Sequence, residues 1–168
     1  RAWQDQGLPK VRVAVNLSGF QLQAKNFVKS VEEILKETGL EGEFLEFEIT
    51  ETVVMQNPEF AVNILTQLRD KGIHISIDDF GTGHSSLAYL KQFPISTIKI
   101  DRSFIGDIPL DKDDVSITLA IINMAKGLGI NTVAEGVEYE EQIGFLQSHG
   151  CTLMQGYYYS KPISLDEM

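Results

Sequence analysis

Two adjacent carboxylates, Asp78 and Asp79, follow directly on the apolar run His74 to Ile77. In a strand, neighbours point to opposite faces, so both acids serve one site only if the chain turns there, and Phe80-Gly81-Thr82-Gly83 supplies a turn. Carboxylates this close repel one another, and two divalent cations sharing the site through a bridging carboxylate or water are a natural solution. Glu48 belongs to the same chemistry. It shares one face of the run Phe44 to Ile49 with Glu46 and Thr50, at the strand's end, where a desolvated carboxylate needs a cation to receive it. Lys99 shares a face with Thr97 and Asp101 and brings one cation into this acidic set, where it could orient a hydroxide or a phosphate oxygen. Its other reading is a buried Lys–Asp pair. The donors are all oxygens, which points to magnesium or manganese; His74, His84 and His149 are too scattered among non-ligands for a zinc site.

Something must bring these residues together. Six short runs predict strands: Val11 to Val15, Phe44 to Ile49, His74 to Ile77, Thr97 to Ile100, Asn131 to Ala134 and Thr152 to Met154. Helical stripes alternate with them. Phe27, Val28, Val31, Ile34 and Leu35 lead to Gly39 as a C-cap; Asn57 as N-cap and Pro58 at the first position open Phe60, Ile64, Leu65 and Leu68. Val115, Leu119, Ile122 and Ala125 end near Gly129, and Phe145 with Leu146 precede Gly150. Strands joined by crossover helices run parallel, in a closed barrel or an open doubly wound sheet. Nearly every strand closes on a polar residue: Asn16, Glu48, Asp78 with Asp79, Lys99, Glu135 or Gln155. Six contributing strand ends favour the barrel, which gathers all its strand C-termini on one face. The expected fold is therefore α/β, a (β/α)8 TIM-like barrel, incomplete here because about six units are present and the first units are missing.

The 168 residues suffice for one domain, 1–168, and the 43% hydrophobic and 23% charged composition is that of a folded globular chain. A net charge of −10 disfavours a DNA- or RNA-binding surface and means that an anionic substrate needs metal ions. There is no run of 18 apolar residues and no export leader, so the expected location is cytoplasmic, with any membrane anchor elsewhere in the parent. The single Cys151 excludes an internal disulfide and reads as a buried small hydrophobe.

Six segments, in order and with matching spacing, resemble the motifs of the EAL-domain family. They are Val13-Ala-Val-Asn-Leu-Ser18, Glu46-Phe-Glu-Ile-Thr-Glu51, Asp78-Asp-Phe-Gly-Thr-Gly-His-Ser-Ser-Leu87, Lys99-Ile-Asp101, Ala134-Glu-Gly-Val-Glu138 and Gln155-Gly-Tyr157. The resemblance implies hydrolysis of cyclic di-GMP to linear pGpG at a site holding two Mg2+ or Mn2+ ions, in bacterial second-messenger signalling. It makes Asn16, Glu48, Asp78 and Asp79 metal ligands and Glu135 a further ligand or base. Lys99 becomes the group that positions the attacking water, and Glu51 the anchor of the loop from Asp79 to Leu87. Gln155, Glu138 and Asp101 fall near the substrate or behind the ligands. It also implies a homodimer, with contacts near the helix carrying Ser103 to Asp114, and an attached sensory or GGDEF domain.

There are two departures. His84 replaces the loop's usual tyrosine, and the name-giving Glu-Ala-Leu tripeptide occurs nowhere; Glu33-Ile-Leu35 lies within a helix and is no substitute. The tripeptide belongs on a strand upstream of residue 1, and Arg1-Ala-Trp-Gln resembles the end of the helix before the Asn16 strand. The 168 residues alone are therefore expected to turn over weakly or not at all. The alternative reading is a cyclic di-GMP receptor or protein-interaction module without turnover.

Overall fold

The computed structural model describes residues 1–83 and 86–164, so His84 lies outside the described residues. One sheet contains β1 (Val13–Asn16), β2 (Leu45–Thr50), β3 (His74–Phe80), β4 (Thr97–Ile100), β5 (Asn131–Glu135) and β6 (Leu153–Gln155), in chain order. The pairs β1–β2, β4–β5 and β5–β6 are parallel. Parallel neighbours in unbroken chain order are the winding of a barrel; a doubly wound sheet would reverse its order at a switch point. The fold class is α/β of the TIM-like barrel type, with six strands among the described residues where a full barrel has eight.

The chain divides into two compact units, Arg1–Ile77 with the described part of 84–96, and Asp78–Gly83 with the described part of 97–168. The first carries the helices α1 (Ala2–Asp5), α2 (Gly19–Leu22), α3 (Phe27–Thr38), α4 (Glu51–Gln56), α5 (Pro58–Arg69) and α6 (Leu87–Leu90). Local chemistry sets their ends. Asn57 Oδ1 accepts from the Phe60 N–H at 3.3 Å, Pro58 occupies the first position of α5, and Gly39 closes α3 at φ +66°, where a side chain would be strained. Ala61, Leu65 and Leu68 form the buried stripe of α5. On β2, Phe47 and Ile49 are buried and alternate with half-buried Glu46, Glu48 and Thr50. β1 is exposed along its whole length.

The second unit carries α7 (Lys112–Leu128) and α8 (Glu140–Ser148). All four residues of β4 are buried. α7 buries Thr118, Ile121, Ile122 and Ala125 and ends at Gly129, φ +72°. The expected helix through Ser103 to Asp114 is corrected here: Arg102–Phe104 is a short 3-10 turn, and the α-helix starts only at Lys112. Pro109 offers no N–H and disfavours helix in the residue before it, while Asp111 Oδ1 caps the true start by accepting from the N–H groups of Asp113 and Asp114 at 2.8 and 3.0 Å. Cys151 is fully buried with Sγ 3.7 Å from the Thr132 carbonyl, and burial pushes its thiol pKa up. Among the described residues no helix is long and apolar enough to cross a membrane.

Candidate active site

In the second unit the ends of β3 and β5 supply the acids, and β4 supplies a lysine. β3 does not stop at Ile77; it continues through Asp78 and Asp79 to Phe80. The change of direction expected at Phe80 to Gly83 begins one residue earlier, because Asp79 itself adopts φ +53°, a left-handed conformation that Asp tolerates better than most side chains. Strict alternation is thereby broken. Carboxylate oxygens of Asp78, Asp79 and Glu135 all lie within 4.8 Å of one another. The Asp79 N–H donates to Asp78 Oδ1 at 3.1 Å, and the Thr82 hydroxyl donates to the Asp79 carbonyl at 2.8 Å, securing the turn.

Lys99 crosses this group from β4. Its Nζ lies 3.1 Å from Asp78 Oδ1 and 2.7 Å from Glu135 Oε1, with only 6% of its side chain exposed. The buried Lys–Asp pair therefore exists, and Glu135 shares it. Three carboxylates against one ammonium leave negative charge in excess. Asp79 registers that excess: burial raises its pKa above the ordinary value of 3.8, the charges of Asp78 and Asp101 add to the rise, and Lys99 partly offsets it. A crowded, all-oxygen, net-negative donor set is what a hard divalent cation requires, so these residues fit magnesium or manganese.

Beside the acids is a cavity of about 470 Å3, whose lining includes Asp79, Asp101, Arg102, Glu135, Glu138 and Gln155. The unit thus brings Asp78, Asp79, Lys99 and Glu135 together and sets Asp101, Glu138 and Gln155 around the adjoining space. Arg102 and Tyr157 also line it, and sequence reasoning gave neither a role there. The signal for Arg102 was its position directly after Lys99-Ile-Asp101. Gly136 adopts φ +72°, and an added Cβ there would come within 2.6 Å of Arg102 Cβ, so only glycine fits without a shift.

In the first unit, Asn16 ends β1 in register with Glu48 on β2, and the Leu17 N–H donates to the Glu48 carbonyl at 2.7 Å. Residues paired in parallel register project to the same face, so these two polar side chains are neighbours. Asn16 is exposed and Glu48 half-buried, whereas Glu51, which opens α4, is 1% exposed. A larger cavity in this unit, about 580 Å3, lies along α3 and α5 beside Lys25, Glu32 and Lys71, and no motif residue lines it.

A curated relative, the cyclic di-GMP phosphodiesterase NbdA of Pseudomonas aeruginosa, is 46% identical over 159 residues, which is 95% of this chain and 20% of the relative. The bifunctional diguanylate cyclase/cyclic di-GMP phosphodiesterase MucR of the same organism is 42% identical over 168 residues, 100% of this chain and 24% of the relative. The chain therefore spans about a fifth to a quarter of these relatives' length. The solved c-di-GMP complex of the PaMucR phosphodiesterase superposes with a TM-score of 0.94 at 42% identity, covering 99% of this chain and 67% of that one. The manganese/cy-diGMP complex of Klebsiella pneumoniae BlrP1 gives 0.85 at 34% identity, covering 95% and 41%. The profile described as EAL domain matches residues 1–162, and the chain belongs to that family.

Proposed function

We propose that this chain is the catalytic part of a cyclic di-GMP phosphodiesterase, opening one phosphodiester bond to give linear pGpG. The observation that carries the proposal is the convergence of Asp78, Asp79 and Glu135 within 4.8 Å, with Lys99 buried among them and a cavity alongside. The activity of NbdA and the c-di-GMP complex of the PaMucR phosphodiesterase, both similar to this chain, support it.

Asp78, Asp79 and Glu135 would hold divalent cations, two in all on the family reading, and Asn16 and Glu48, neighbours on β1 and β2, are further candidate ligands. Magnesium or manganese bound there would neutralise charge on the attacked phosphate and lower the pKa of the attacking water. Lys99, held between two carboxylates, would offer a fixed N–H donor to orient that water, and Glu135 would act as a further ligand or as the base that accepts its proton. The water oxygen ends on phosphorus; the P–O bond to the leaving sugar oxygen breaks, and that oxygen takes up a proton. Asp101, Glu138 and Gln155 contact the substrate or support the ligands, and Glu51, buried at the start of α4, is the candidate loop anchor. The proposal includes a homodimer, and an attached cyclase or sensory domain, for which bifunctional MucR is a precedent. A cytoplasmic site of action fits a nucleotide messenger.

The test is hydrolysis of cyclic di-GMP with Mg2+ or Mn2+ by a polypeptide extended upstream of residue 1, beside its Asp78→Asn variant and the 168 residues alone. Turnover in the extended protein, lost by about 100-fold or more in Asp78→Asn, supports the enzyme. Tight nucleotide binding without turnover in the unsubstituted extended protein makes it a receptor. Full turnover by the 168 residues alone would overturn the expectation that they are weak or inactive.

A further inference from the structure

Gln142 sits on α8 at 1% exposure, out of reach of water. A buried primary amide is tolerated only if its donors and acceptor are matched, since an orphaned group keeps its full desolvation penalty. Here all are matched by backbone. Nε2 donates to the carbonyls of Ile105 at 2.8 Å and Gly106 at 3.0 Å, while Oε1 accepts from the N–H groups of Glu138 at 2.8 Å and Tyr139 at 3.0 Å.

These four bonds join two segments distant in sequence. Ile105-Gly106 closes the turn that begins with Asp101-Arg102; Glu138-Tyr139 closes the loop that begins with Glu135-Gly136. Asp101 and Arg102 on one side, and Glu135, Gly136 and Glu138 on the other, line the acidic cavity. Behind it lies a second cavity of about 440 Å3, which shares Arg102, Gly136 and Glu138 with the first and is lined by Gln142. Gly136 also lies close against Arg102, where an added Cβ would come within 2.6 Å of Arg102 Cβ, so the two segments meet at this contact as well as through the amide. A neutral amide suits this position, because it donates to two carbonyls and accepts from two N–H groups without bringing in charge. Glutamate would face two carbonyls with an acceptor, and leucine or methionine would leave four backbone groups unmatched.

We infer that Gln142 is a positioning residue: it fixes the spacing between the segment bearing Asp101 and Arg102 and the loop bearing Glu138, and through them the width of the cavity that receives the nucleotide. The inference rests on the proposed hydrolytic reading. It touches neither the acids of the cluster nor Lys99, so its loss should disturb substrate binding more than the chemical step.

The test uses the upstream-extended polypeptide with Mn2+, comparing the unsubstituted protein, Gln142→Glu, Gln142→Met and, as a control on the exposed face of α8, Gln147→Leu. Amide hydrogen exchange at Glu138 and Tyr139 is followed in the same samples. Expected are a rise in KM of about tenfold with kcat within about threefold, and fast exchange at both amides in Gln142→Met. Gln142→Glu, which keeps both acceptor bonds, should retain protection at these amides and show a smaller rise in KM, a gradation that simple destabilisation would not produce. Unchanged KM in both variants, or a loss of activity that only follows the fraction unfolded, overturns the inference. A wild type that neither hydrolyses nor binds cyclic di-GMP sinks the hydrolytic reading instead, while the exchange data still decide whether Gln142 ties the two segments. If Glu138 and Tyr139 exchange freely in the unsubstituted protein, the tie does not exist.

Discussion

β1 and β4 are both four-residue parallel strands that combine aliphatic with polar residues, Val-Ala-Val-Asn and Thr-Ile-Lys-Ile, yet one is exposed throughout and the other buried throughout. β4 has a strand on each side, whereas β1 has β2 alone among the described residues. Burial of a parallel strand is therefore a property of its neighbours more than of its own residues. The consequence for function is direct. Lys99 on β4 meets two carboxylates away from water, where electrostatic interactions are strong. Asn16 on β1 stands where water competes for every hydrogen bond.

The sharpest way to break this contrast is to remove the buried cation. Lys99→Met leaves half-buried Asp78 and Glu135 facing each other without their shared cation, and the expected loss is about 3 kcal/mol, a fall in Tm of roughly 6–12 °C by thermal denaturation. Millimolar Mn2+ should recover part of it; no recovery would mean that the acids do not share a cation. Comparable in size is core truncation. Ile98→Ala, at a fully buried position on β4, should cost about 3 kcal/mol, and Val13→Ala, at a 44% exposed position on β1, less than about 0.5 kcal/mol in chemical denaturation. Equal losses would show that β1 is covered in solution.

The smallest effect has the opposite sign. The Asp79 carboxyl is raised in the folded state, so its ionised form opposes folding at pH 7, and the opposition fades as pH falls towards the ordinary value of 3.8. Asp79→Asn, which also tolerates φ +53°, should raise the metal-free Tm at pH 7 by about 2 °C, with the gap closing towards pH 4. A variant less stable than the wild type at pH 7 would contradict this. Stabilisation accompanied by weaker Mn2+ binding would identify Asp79 as a residue kept at the expense of the fold.

All six strands and the four longer helices were legible from periodicity and caps, because those signals are local. Their ends were less so. The runs were expected to stop at Val15, Ile77 and Ala134, but the strands extend to Asn16, Phe80 and Glu135. A polar residue ends an apolar run without ending backbone pairing, so the site acids belong to the strands themselves. The left-handed Asp79 could not be foreseen, since only the residues around it determine whether an aspartate adopts that conformation. Nothing local in the sequence marks Gln142. Its partners, Ile105 and Gly106, lie 37 and 36 positions away, beyond any local pattern.

The sequestered thiol of Cys151 has a practical consequence. A chain whose native cysteine is both inaccessible and held protonated behaves towards maleimides and spin labels almost as if it had none. A cysteine introduced at Tyr157, 58% exposed and on the lining of the acidic cavity, would take a reporter group first, allowing nucleotide arrival to be followed without rebuilding the interior.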